Sequence, residues 1–212
     1  MAVYYQKIDT EISHDTIEDI ARRIFSNNFL KKRPLILGHR YYLYVTGQRN
    51  RITREPNFMH TFKQKYGLQY IDVACLDKLE ANKRRIINGI LKNPFKVYND
   101  FFANVRFFQK GEERSKRLTS FFTKLAHTVA PDQFSALDNP IRKYFHVNNE
   151  SFFVSYCLIN DTYVQWIKKN RRILRHLRQS IHSYDTDNAL QVDALEDLKI
   201  LDMIFWYKAN RE

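Results

Sequence analysis

The chain has 212 residues, enough for one domain, or one domain with an N-terminal extension, to bury a core without disulfides or metals. Hydrophobic residues make up 44% and aromatics 15%, with five glycines and five prolines, which excludes a disordered, collagen-like or loop-dominated chain. Lysine and arginine number 35 against 23 aspartates and glutamates, a net charge of +12, and point to a polyanionic partner: nucleic acid first, an anionic membrane surface second.

The N-terminal segment up to Asp15 holds no apolar core of signal-peptide length. Asp15 and Glu18 read as a capping box that opens a first helix, with the apolar stripe Ile17, Ile20, Ala21, Ile24 and Phe25. Asn27, Asn28 and the cluster Lys31, Lys32, Arg33, Pro34 end it. Leu35 to Thr53 is rich in Tyr, Leu, Ile and Val and punctuated by Gly38 and Gly47, which predicts a short hairpin or extended segment. Its tyrosines, Tyr41, Tyr42 and Tyr44, suit half-buried strand positions better than base-stacking ones.

From about residue 57 the chain reads as helical almost throughout. Asn93-Pro94 is an N-cap followed by proline, and the stripe Val97, Tyr98, Phe101, Phe102, Val105, Phe108 runs on to a break at Gly111. The next helix is predicted over about Glu112 to Ala130, with Leu118, Phe121, Phe122, Leu125, Ala126 and Val129 inward, and Pro131 closes it. A loop leads to a helix start at Asp138-Asn139-Pro140. Asn149 to Asn160 predicts a buried apolar helix, and Asp161 is placed as the cap of a long amphipathic one. That helix carries Tyr163, Ile167, Leu174, Leu177 and Ile181 on one face and Lys168, Lys169, Arg171, Arg172, Arg175 and Arg178 on the rest. Ser183 to Asn188 is a polar linker, and a last helix spans Val192 to about Lys208. Within it Asp202 sits in an apolar run, which predicts a buried carboxylate paired with an arginine or with backbone donors. The fold class is therefore mainly α, about seven helices, with at most a small hairpin between residues 35 and 53. Residues 1–76 are assigned to an N-terminal extension packed on a helical domain of residues 77–212.

The five glycines do not cluster into a phosphate loop, and the seven histidines show no metal-ligand spacing. Cys75 and Cys157, both in apolar runs, exclude a disulfide scaffold and a four-cysteine zinc or iron–sulfur site, and read as buried free thiols. The uncharged run from Ser151 to Asn160 includes one asparagine and is too short to span a bilayer. A reduced, cytoplasmic protein with no cofactor and no membrane partner is expected.

Six cations from Lys168 to Arg178 with no acidic residue among them exceed what solubility needs. Like charges at helical spacing cost helix stability, and a bound polyanion offsets that cost. The stretch from Thr119 to Val147 adds Lys124 on a helix side opposite Phe121 and Leu125, then a loop, then Asp138 at a helix mouth with Arg142 one turn later.

Those last residues resemble the helix-hairpin-helix DNA glycosylases, loosely over residues 77–212. In that family an aspartate opens a helix in a Pro-Val-Asp-Thr-His-Val-x-Arg-like string. Here the string is Ala136, Leu137, Asp138, Asn139, Pro140, Ile141, Arg142, and no glycine between Glu112 and Leu137 supplies the family's Gly-x-Gly turn. The resemblance implies base excision from DNA, more than RNA, with the target base flipped from the stack. Asp138 would stabilise the sugar cation or activate water, and Lys124 would form a Schiff base in a lyase-active member. Arg142, Lys168, Arg171, Arg172, Arg175 and Arg178 would contact the nucleic acid. Two other functions fit the same charges: a non-catalytic helical nucleic-acid-binding module, and an interaction domain for an acidic protein. Asp138 also suits an ordinary N-cap, and Lys124 a solvated lysine.

Overall fold

A computed structural model describes residues 2–12, 17–26, 33–48, 51–69, 71–109, 111–185, 188 and 190–210. Over these residues the chain is mainly α-helical with one small antiparallel hairpin. It divides into two units, residues 1–35 with 131–212, and residues 36–130. The boundary expected at residue 76 falls inside a helix, Val73–Ala81, whose Cys75, Leu76 and Leu79 are buried in the second unit. A segment whose side chains fill one core cannot be a domain edge. The first unit instead joins the chain's two ends.

In the first unit, α1 (Ala2–Glu11) and α2 (Ile17–Ser26) come from the N-terminal segment. α2 buries Ile17, Ile20 and Ala21 as its stripe predicts; Asp15, Asn27, Asn28, Lys31 and Lys32, and the side chains of Ile24 and Phe25, lie outside the described residues. The second unit contains α3 (Arg33–Gly47), whose first residues belong to the first unit, then α4 (Phe58–Lys65), α5 (Val73–Ala81), α6 (Lys83–Ile90), α7 (Pro94–Phe101), the strands β1 (Val105–Gln109) and β2 (Glu112–Lys116), and α8 (Thr119–Val129). The first unit resumes with α9 (Asn139–Tyr144), α10 (Phe152–Lys169), α11 (Arg171–Tyr184) and α12 (Asp197–Ala209). These twelve helices exceed the seven expected: α1 and α3 stand where no helix was expected, and Asn82 divides one helical stretch into α5 and α6.

The hairpin lies at residues 105–116, and the 35–53 segment is helical. Tyr41, Tyr42 and Val45 are buried at spacings that suit one helix face, while Tyr44 is exposed, so an aromatic-rich run obeys the 3.6-residue period. In β1 the period is two: Val105 and Phe107 are buried, Arg106 and Phe108 exposed. Gly111 takes φ +81° at the turn, a conformation that glycine adopts without a steric penalty and that suits a tight hairpin. The helix predicted from Glu112 therefore begins only at Thr119.

Asp161 is not a cap. α10 runs through it, with Asp161 on the exposed side and Tyr156, Ile159, Tyr163 and Trp166 inward. The cap is Ser151, whose hydroxyl accepts from the Val154 amide at 3.2 Å. The break comes at Asn170, whose side-chain amide donates to the Trp166 carbonyl at 3.1 Å and to the Tyr5 hydroxyl at 3.0 Å. The basic run from Lys168 to Arg178 is thereby divided between two helices.

The first core is pinned by polar contacts. Trp166 donates from its indole to Asp9 at 3.1 Å, and Asn160 Oδ1 accepts from Ser135 N at 2.7 Å, holding the loop before α9. Lys208 bonds Glu11, joining the ends of α12 and α1. Burial pushes the Glu11 carboxyl up, but bonds from Lys208 and Tyr144 and the charges of Lys208 and Lys7 outweigh it and leave it below the usual range. Asp202 is buried as expected, yet its counter-ion is Lys199 on the same helix at 3.2 Å, not an arginine. Cys75 is buried, whereas Cys157 is only half-buried; burial pushes both thiols up, which makes them poor nucleophiles. No helix among the described residues is long and apolar enough to cross a membrane.

Candidate nucleic-acid interface

Asp138 caps α9: its Oδ1 accepts from the Ile141 amide at 3.2 Å, and Asn139-Pro140 begin the helix as expected. Its charge is felt inside the unit. The fully buried Tyr163 phenol is pushed well above its usual range, first by burial, then by Asp202, Asp138 and Tyr144. A cavity of about 480 Å³ opens beside α9, lined by Asn139, Pro140, Lys143, Tyr144 and Ala209. Asp138 is not part of that lining. Lys124 lies half-buried on α8, in the other unit, so the fold distributes the two expected catalytic groups between two cores.

Asp138→Asn is expected to leave stability within about 0.5 kcal/mol, since asparagine caps nearly as well. Thermal unfolding checks that figure. Chromatography of bases released from damaged DNA by the wild type and the variant then shows whether the carboxylate also acts on a sugar.

Arg142 is held by contacts within its own unit. Its guanidinium donates to Ser155 Oγ at 3.1 Å, Asn139 Oδ1 at 3.2 Å, and the carbonyls of Asn148 and Glu150 at 3.2 and 2.6 Å, and it lies 4.9 Å over the Phe152 ring. It clamps the α9–α10 turn. Arg178 is committed in the same way. It donates to the carbonyls of Val192 and Leu195 at 2.6 and 2.7 Å and to Asp197 at 2.7 Å, bracing α11 against the start of α12. Both were expected on the nucleic-acid surface; here their guanidinium forks are engaged by acceptors of their own unit.

The remaining expected cations are exposed. Lys168 and Lys169 end α10, with Lys169 5.0 Å from the Tyr5 ring, and Arg171, Arg172 and Arg175 line the outer side of α11. Leu174, Leu177 and Ile181 hold the opposite side in the core, where α11 packs on α2. Lys168, Arg171, Arg172 and Arg175 form no ion pair among the described residues.

A larger concentration of charge was missed. Residues 36–130 carry 18 lysines and arginines against 7 aspartates and glutamates, net +11, leaving 17 against 16, net +1, for the other unit. Arg84, Arg85, Lys92, Lys96, Arg106, Arg114 and Arg117 are exposed there. Charge totals by segment would have shown it, had the boundaries near 35 and 130 been visible. Among the described residues no three His, Cys, Asp or Glu side chains converge as a metal site. Comparison with protein-family models, with curated proteins and with solved structures finds no match to this chain.

Proposed function

We propose that this protein binds nucleic acid, with the 36–130 unit supplying most of the attraction and the outer side of α11 a second contact. The observation that carries the reading is the +11 charge gathered on one unit while the other is nearly neutral. Such an asymmetry is unnecessary for solubility, and its self-repulsion is relieved when phosphates neutralise it. Binding alone is the form supported best, because Asp138 is engaged as a cap and Arg142 and Arg178 as braces. Base excision at Asp138 would be its catalytic form, decided by the release assay above.

Fluorescence anisotropy across a salt series tests the reading. The expected slope of log K against log salt is about −4 or steeper, corresponding to about five neutralised phosphates or more. Arg171→Ala and Arg175→Ala should each remove about one unit of it. A slope near zero with both strands and duplexes would reject nucleic acid and leave an acidic protein surface as the partner.

A further inference from the structure

The hairpin of the 36–130 unit has one covered face and one bare face. Val105 and Phe107 turn inward, where β1 packs on α5, while Arg106 and Phe108 turn outward. Phe108 is 72% exposed, and its ring stacks on no aromatic side chain among the described residues. Across the ladder it faces Glu113, with Arg106 opposite Ser115. Burial of a phenyl ring stabilises a fold, and an exposed one contributes nothing of that kind.

One cation, Arg106, shares this outward face, and the exposed Arg117 follows the end of β2. Arg106 pairs there with Glu113 at 3.9 Å, both at exposed positions where such a pair is worth little and exchanges readily for phosphate; Arg114, paired with Glu112 at 3.2 Å, stands across from Phe107 on the other face. Arg117 follows with no ion pair among the described residues, while Lys116, opposite Val105, lies on the covered side. A bare aromatic face beside surplus cations matches a polyanion that carries flat apolar groups. In a duplex those groups are stacked away; in a single strand they are available.

We infer that the hairpin engages single-stranded nucleic acid, Phe108 stacking on an unpaired base while Arg106 and Arg117 meet the flanking phosphates. The inference rests on the nucleic-acid reading above. Labelled single-stranded and duplex oligonucleotides of one sequence test it by anisotropy. Phe108→Ala should weaken single-strand binding about tenfold, with the salt slope unchanged because no phosphate contact is lost, and should leave duplex binding within about twofold. Phe108→Trp should retain the affinity, and its added indole emission should fall when the single strand binds. Arg106→Ala with Arg117→Ala should flatten the single-strand slope by about 1.4. Single-strand affinity unchanged by Phe108→Ala, or equal losses on strand and duplex, overturns the stacking role while the nucleic-acid reading stands. No salt-dependent binding by the wild type to either oligonucleotide removes both.

Discussion

Phe205→Ala is expected to lower the unfolding free energy by about 3–5 kcal/mol. Phe205 is fully buried on α12, with ring centroids 5.9 Å from Tyr144, 5.0 Å from Phe145 and 5.6 Å from Tyr163. It thereby joins α9, α10 and α12 at one point. Truncation loses the transfer energy of the ring and leaves a void that three aromatic neighbours, rigid and mutually packed, cannot close. Phe205→Leu keeps most of the apolar volume and should cost about half as much. Urea unfolding checks both. The two tryptophans, Trp166 and Trp206, lie in the same unit as Phe205, so their fluorescence should report the loss directly.

Arg178→Ala should cost about 2–4 kcal/mol and leave nucleic-acid affinity unchanged under conditions where the protein is folded. The side chain is mostly buried, and its removal takes the charged donor from the carbonyls of Val192 and Leu195, of which Val192 keeps the Leu195 amide. The ion pair adds less than the carbonyl bonds, since the Asp197 side chain is 43% exposed and its charge is screened. Arg178→Lys should recover part of the loss, because an ammonium can reach one carbonyl but cannot reproduce the fork. Arg175→Ala is the contrasting case. Exposed, and in no ion pair among the described residues, it should shift stability by less than about 0.5 kcal/mol and weaken binding. Denaturant curves and a salt series on the two variants separate brace from contact; the reverse pattern would place Arg178 on the binding surface.

Local sequence determined the helical character and several helix starts. Asn93-Pro94 and Asp138-Asn139-Pro140 open α7 and α9, because an N-cap acceptor and a proline ring act within one turn and need no distant partner. The inward stripe of α8 was legible for the same reason. Short apolar runs were not. Leu35 to Thr53 and Val105 to Phe108 both combine aromatic and aliphatic residues, and each fits either period until the rest of its unit supplies a face to pack on. Tertiary structure alone assigned the arginines. Sequence shows six cations from Lys168 to Arg178 as equals, yet Arg178 meets two backbone carbonyls, which every residue carries and no sequence pattern marks. The same holds for Arg142 at the carbonyls of Asn148 and Glu150. The gathering of charge on residues 36–130 also became visible only with the fold, since a unit closed by the chain's two ends has boundaries set by long-range packing and by no local signal.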